Sequence, residues 1–265
     1  MIKITGLFIY PLKGGVGISL DTVQLGPMGP TNDRRWMVVD ENHRLVTQRE
    51  IGRLALLRAT PAGHRLRLEG PDMTPLEVRP TEVLETVEVW NDQVDAVYMG
   101  DSAAGWCSRF LGAPVRLVHM AESWSRRTDP DYDPIGARVS FADGYPLLLI
   151  SEESLGDLNG RLVDPLPMNR FRPNVVVAGA EPFEEDQWRR FTIGSLAFDM
   201  VKLCARCTVP TTDQATGERS KEPLKTLATY RKQGSGVMFG VNVVHRSLGT
   251  LHVGDEIAVI TRSAE

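Results

Sequence analysis

Cysteine is scarce: three in 265 residues, Cys107, Cys204 and Cys207. So few, and an odd number, exclude a disulfide framework and favour a reducing, cytoplasmic setting. Long apolar runs are missing too; none approaches the ~20 residues that cross a bilayer as a helix. Residues 1–10 alternate apolar and polar where a signal peptide would carry an apolar block and a cleavage site. No membrane association is therefore expected. Positive charge is not in excess: 30 Lys and Arg stand against 34 Asp and Glu, for a net charge of −4, and neither half is basic. This excludes nucleic acid as a binding partner drawn by the overall field, but not a local anion pocket. Internal repeats and low-complexity tracts are absent. With 42% hydrophobic and 24% charged residues, disorder and coiled-coil rods are excluded, and the chain is long enough to bury a sizeable core.

What is present is a succession of short strands. Residues 2–10, 36–40, 66–68, 87–90, 94–99 and 115–120 carry strand patterns, punctuated by Gly, Pro, Asn and Asp. One helix is expected at 102–111, with Asp101 or Ser102 as its cap and Gly112 as its stop. A long loop follows at 124–138. Further strands are expected at 147–150, 175–177, 196–203, 237–244 and 257–260. Ser151 should cap a helix bearing Leu155, Leu158 and Leu162, and Pro223 should start another through about Lys232. The fold class is β-rich α+β, a barrel or sandwich with a few short helices, and the length suggests about two domains or one large all-β domain.

Four segments carry chemistry. Lys13-Gly14-Gly15-Val16-Gly17 resembles a phosphate-binding loop, but Ile18 stands where that loop needs its lysine and a strand follows instead of a helix. A plain glycine-rich turn between two strands fits better, with a turn that lets Lys13 and exposed backbone amides approach an anion as the intermediate reading. Asn32-Asp33-Arg34-Arg35-Trp36 sets guanidinium groups beside an aromatic ring, either as a solvated turn or aimed at a carboxylate or phosphate. In Phe171-Arg172-Pro173-Asn174 the proline should hold Arg172 extended at a strand mouth, either presenting Arg172 and Asn174 in one fixed geometry or forming a strand-entry turn in which Asn174 bonds its own backbone. Cys204-Ala205-Arg206-Cys207 admits three readings. Zinc lacks a second ligand pair among the scattered histidines. A redox pair lacks the helix that should follow it. A single reactive or metal-ligating thiolate, favoured by Arg206, is the third. Cys107, beside Trp106 and Phe110, reads as core packing.

Taken in order with Thr47-Gln48-Arg49, Gly179 to Phe183, Thr216-Gly217 and Lys221 to Leu224, these segments resemble the MOSC family. The likeness runs over nearly the whole chain and implies its division: a MOSC N-terminal β-barrel-like domain, 1–118, then a MOSC β-barrel domain, 119–265. In kind it is similar to the mitochondrial amidoxime-reducing component and its bacterial homologues. The resemblance implies that the first ~35 residues pack with the second barrel, domain edges being the least sharp sequence feature. It also implies a bound molybdenum cofactor (Mo-molybdopterin), with Cys207 as the metal's protein ligand and Lys13, Arg34, Arg172, Asn174 and Arg206 as cofactor contacts. The activity implied is molybdenum-dependent reduction of N-hydroxylated small molecules, with electrons from a separate donor protein. Asp213, six residues after Cys207, reads as a proton relay or as a turn-forming aspartate. The alternative is a molybdenum-cofactor or sulfur carrier using Cys207. Three places depart from the amidoxime-reducing pattern, each losing a hydroxyl: Gly14, the pair Gly144-Tyr145, and Ala205.

Overall fold

The strand Ile2–Ile9 buries Ile4, Leu7 and Ile9. Strict alternation would not put all three on one face; a register shift between Ile4 and Gly6 corrects the parity. In this computed structural model, which describes residues 1–121, 123–124 and 126–263, that strand is a stave of a closed barrel. The seven staves run in the order Leu147–Ser151, Val175–Ala178, Ile2–Ile9, Glu256–Arg262, Trp188–Ile193, Leu196–Ala205 and Gly236–His245, and the last pairs back to the first. Closure comes from Leu147 opposite Val243 and Leu149 opposite Val241. The single parallel pair, Leu147–Ser151 beside Val175–Ala178, needs a crossover, which the helix Glu152–Asn159 supplies. Ser151 caps that helix, accepting the Ser154 N–H, as its sequence requires.

Leu7, Leu149, Val177, Trp188, Phe191 and Phe198 fill the barrel. Outside it, Ile150 and Phe239 turn outward to meet Leu158, Phe171 and Leu227. Each such large apolar side chain contributes roughly 1.5–3 kcal/mol on burial.

The intervening segment forms a second body. Its antiparallel sheet runs Trp36–Val39, Arg116–Met120, Asp92–Tyr98, Leu84–Val89. All four residues of Trp36–Val39 are buried. Val38 faces Trp106, Phe110 and Leu117 on one side, while Met37 and Val39 face Val87, Val118 and Phe141 on the other. A three-stranded sheet, Arg58–Ala62, Arg65–Glu69 and Leu76–Val78, covers the first of these layers together with the helix Asp101–Leu111.

Several expectations need correction. The helix Asp101–Leu111 has Gly100 at its N-cap with no side-chain cap, because Asp101 accepts the Tyr98 hydroxyl at 2.7 Å instead. Gly112 does end it, in the left-handed region. The helix after Pro223 is only Leu224–Leu227; the chain then pairs Lys232–Gln233 with the barrel strand Gly236–His245. The long loop contains a short ladder, Arg126–Arg127 against Arg138–Val139, and buried Asp133 ties it to Arg246 at 2.7 Å. Ser125, within that loop, lies outside the described residues. No helix among the described residues is long and apolar enough to cross a membrane.

Candidate functional site

Where the first barrel strand ends, the chain turns into the second body. The Tyr10 N–H donates to Asp33 Oδ1 at 2.8 Å, and Asp33 Oδ2 accepts Arg34 Nη1 at 2.6 Å. The Tyr10 ring is flanked by two guanidinium groups, Arg34 at 4.5 Å and Arg172 at 4.2 Å, and its hydroxyl donates to the Pro173 carbonyl at 3.0 Å. Burial pushes the Tyr10 phenol up to about 12. Gly17 makes room for this ring: a Cβ there would lie 2.6 Å from Tyr10 Cε1.

The glycine turn is indeed no phosphate cradle. The Gly15 and Val16 N–H groups are spent on the Leu12 and Leu57 carbonyls. The Gly14 and Gly15 carbonyls accept Gln48 Nε2 at 2.6 Å and Arg172 Nη1 at 2.7 Å. What the turn presents is Lys13. Its ammonium donates to the Phe141 carbonyl at 2.7 Å and to Asp143 Oδ1 at 2.5 Å. Desolvation lowers the Lys13 pKa, with Asp143 opposing. For Asp143, desolvation works against the charge, and Lys13, Arg34 and Arg49 outweigh it, holding the carboxyl far below the usual range.

The barrel supplies the opposite wall. A short turn, Met168–Arg170, delivers Arg172 not extended but at φ +58°, in the left-handed region. The restraint from Pro173 is overridden because Arg172 is tied at both ends. Its carbonyl accepts Arg34 Nη2 at 3.2 Å, and its Nη1 reaches Gly15 and, at 3.2 Å, Gln214 Oε1. Arg34 also sits at positive φ, +48°; such strain persists only where the surroundings over-determine it. Asn174 does not bond its own backbone. Its Oδ1 accepts Arg34 Nη1 at 3.0 Å and the Leu148 N–H at 3.2 Å, and its Nδ2 donates to Phe8 at 3.1 Å.

The strand Leu196–Ala205 ends at the cysteine segment. Arg206 donates to the Phe171 carbonyl at 2.7 Å and to Cys204 Sγ, not Cys207, at 3.3 Å. Among the described residues no three His, Cys, Asp or Glu side chains gather as a metal set, so the zinc reading finds no further ligands there.

Lys13, Arg34, Arg172, Asn174, Arg206 and Cys207 all line one pocket between the two bodies. Five cations line it, counting Arg49, against one carboxylate, Asp143, although the chain as a whole is acidic. Two donors on residues that line it, Arg172 Nη2 and Arg206 Nε, are buried without a hydrogen-bond partner among the described residues. Burial lowers the Arg172 pKa to about 10, Tyr10 opposing and Arg34 adding to the shift.

Asp213 does not join them. Its Oδ1 accepts the N–H groups of Ala215 and Thr216, and its Oδ2 pairs with Arg170 at 3.1 Å. The backbone N–H of Ala215 is the largest of the effects that lower its pKa. It is the turn-forming aspartate and does not line the pocket, so this geometry lends the proton-relay reading no support. Sequence reasoning missed Trp90, Asp143 and Gln214. The strand expected at 87–90 in fact ends at Val89, and Trp90 opens the two-residue turn before Asp92–Tyr98.

Comparison with known proteins adds to this geometry. The family described as MOSC N-terminal beta barrel domain matches residues 1–114, and that described as MOSC domain matches residues 136–258. Mitochondrial amidoxime-reducing component 1 of Danio rerio is 35% identical over 275 residues, spanning 97% of this chain and 85% of its own. The human component 1 is 31% identical, spanning 96% of this chain and 82% of its own. The solved structure of the YUAD protein from Bacillus subtilis spans 97% of this chain and 94% of its own, at 12% identity and a TM-score of 0.43.

Proposed function

This chain belongs to the family of the mitochondrial amidoxime-reducing components and carries its two MOSC-type domains, and from that premise we propose that it binds a molybdenum cofactor and reduces N-hydroxylated compounds. Amidoximes, hydroxylamines and N-hydroxylated bases are the substrate class, and a separate protein is the electron donor. One observation carries the proposal: cations and a thiol far apart in sequence converge on one pocket, with buried donors left unsatisfied. An anionic, phosphate-bearing ligand is what such donors accept. Two thiols in the same pocket, Cys204 and Cys207, suit a soft metal.

The residues therefore fit the group. Bound there, the cofactor would supply two-electron redox chemistry at its metal. Cys207 Sγ would be its protein ligand. Arg172 and Arg206 would offer their unpartnered N–H groups, and Arg34 and Lys13 their charge. Asn174 keeps one Nδ2 hydrogen beyond the one it gives Phe8. Asp213 being engaged elsewhere, Lys13 Nζ is the group we assign to hold a transferable proton; burial loosens that proton and Asp143 retains it.

The division 1–118 and 119–265 remains our domain proposal, with Ile2–Ile9 contributed to the barrel of the second domain. The relatives are named mitochondrial. For this chain, whose three cysteines are free, we propose the cytoplasm.

The test is molybdenum by elemental mass spectrometry, with pterin fluorescence, on wild type, Cys207→Ser and Cys204→Ser. The expected result is molybdenum and pterin in wild type, and a loss of turnover with a reduced viologen and an amidoxime in Cys207→Ser of at least ~100-fold. Zinc instead of molybdenum would overturn the proposal. Molybdenum without turnover would select the carrier reading.

A further inference from the structure

Trp90 is the first residue of the two-residue turn joining Leu84–Val89 to Asp92–Tyr98. It stands at φ +58°, and glycine is the ordinary occupant of such a position. A bulky residue there needs a reason. Packing is not that reason: the side chain is 38% exposed, one of the few large hydrophobic residues so open. The exposure is directed, because Trp90 lines the pocket. The Arg49 guanidinium lies over its ring at 4.5 Å and Lys13 Nζ at 5.4 Å. Lys13, Arg172 and Asn174, by contrast, are buried within the same pocket. The indole thus stands at the solvent-facing part of the pocket, which exposed Asp143 and Ala205 share.

We propose that Trp90 is a substrate-positioning residue, a stacking platform at the pocket mouth that selects planar, delocalised N-hydroxylated groups over small aliphatic ones. The inference rests on the reductase reading above. An amidoxime, and the amidine formed from it, is flat and delocalised like the guanidinium that already lies on this ring. The neutral amidoxime stacks on indole as one π system on another, and the amidinium formed from it by the cation–π attraction that the guanidinium already shows.

The test compares Trp90→Ala and Trp90→Phe with wild type in the molybdenum-loaded protein. Benzamidoxime and N-methylhydroxylamine serve as substrates, and benzamidine is titrated by calorimetry. Trp90→Ala should raise KM for benzamidoxime about tenfold more than for N-methylhydroxylamine, with kcat within about twofold, as expected when ~1.4 kcal/mol of stacking is lost. The Kd for benzamidine should rise in parallel, and Trp90→Phe should recover most of both. Equal changes for the two substrates, or none, would overturn the proposal. So would molybdenum lost from Trp90→Ala, which would make the residue a cofactor holder. If wild type takes up no molybdenum, the reductase reading fails, and the calorimetric titration still decides for or against the platform.

Discussion

The two walls of the pocket treat their charges differently. On the wall built by the N-terminal turn, two of the three cations have a carboxylate: Lys13 meets Asp143 and Arg34 meets Asp33, while Arg49 lies over the Trp90 ring. On the barrel wall, Arg172 and Arg206 have, among the described residues, only carbonyls, a side-chain amide, a sulfur and aromatic faces, and each keeps a buried N–H without a partner there. Burying a guanidinium without a counter-charge costs free energy that protein contacts here do not return. One wall is neutralised at Lys13 and Arg34; the other is held in deficit at both of its arginines. Negative charge on a guest should therefore be felt mainly by Arg172 and Arg206.

The largest expected effect follows directly. Arg172→Ala should lower molybdenum and pterin per chain at least ~10-fold after dialysis, the scale of one charge-assisted contact. Removing Lys13 and Asp143 together deletes a pair without net charge, and should lower it by less than ~3-fold on the same scale. Equal losses would mean that the walls do not differ. Next comes Gly17→Ala, which drives a methyl into the Tyr10 ring lying between one arginine of each wall. We expect a destabilisation of ~1–3 kcal/mol, read as the urea midpoint. Should bound molybdenum survive that substitution, the arginines hold their places without the ring.

The smallest effect concerns acid. The Asp143 pKa is depressed in the folded chain, so its pairing stabilises above the unfolded value of ~3.9 and is lost as pH falls through the folded value. Asp143→Asn should be less stable than wild type at pH 6, with the gap closing as the pH drops below the ordinary carboxylate range. Thermal melts across that range would show it, and a gap independent of pH would contradict the pairing.

How far the sequence could be read varies by residue. Strand alternation revealed most of the sheet, and Ser151 and Gly112 marked helix ends by local chemistry alone. The cations and Cys207 were legible because they recur as motifs. Their conformations were not. Pro173 argued for an extended Arg172, but tethers to Gly15, Gln214 and Arg34, each remote in sequence, set φ at +58°. Asp213 looked chemically apt until its neighbours' N–H groups claimed it. Asp143 gains its partner 130 residues away, and the mutual amide pair of Gln48 and Gln214 spans 166. No local pattern encodes such encounters.

The barrel's strand order has a consequence in time. The stave Ile2–Ile9 sits between Val175–Ala178 and Glu256–Arg262. A growing chain that has emerged as far as Asn242 already contains every cation and thiol of the pocket, but not the stave that completes the ring. Those long-range pairings form late and together. The pocket's full set of cations and thiols is therefore present on a chain whose ring is still open, and its shape is fixed only when Glu256–Arg262 closes that ring.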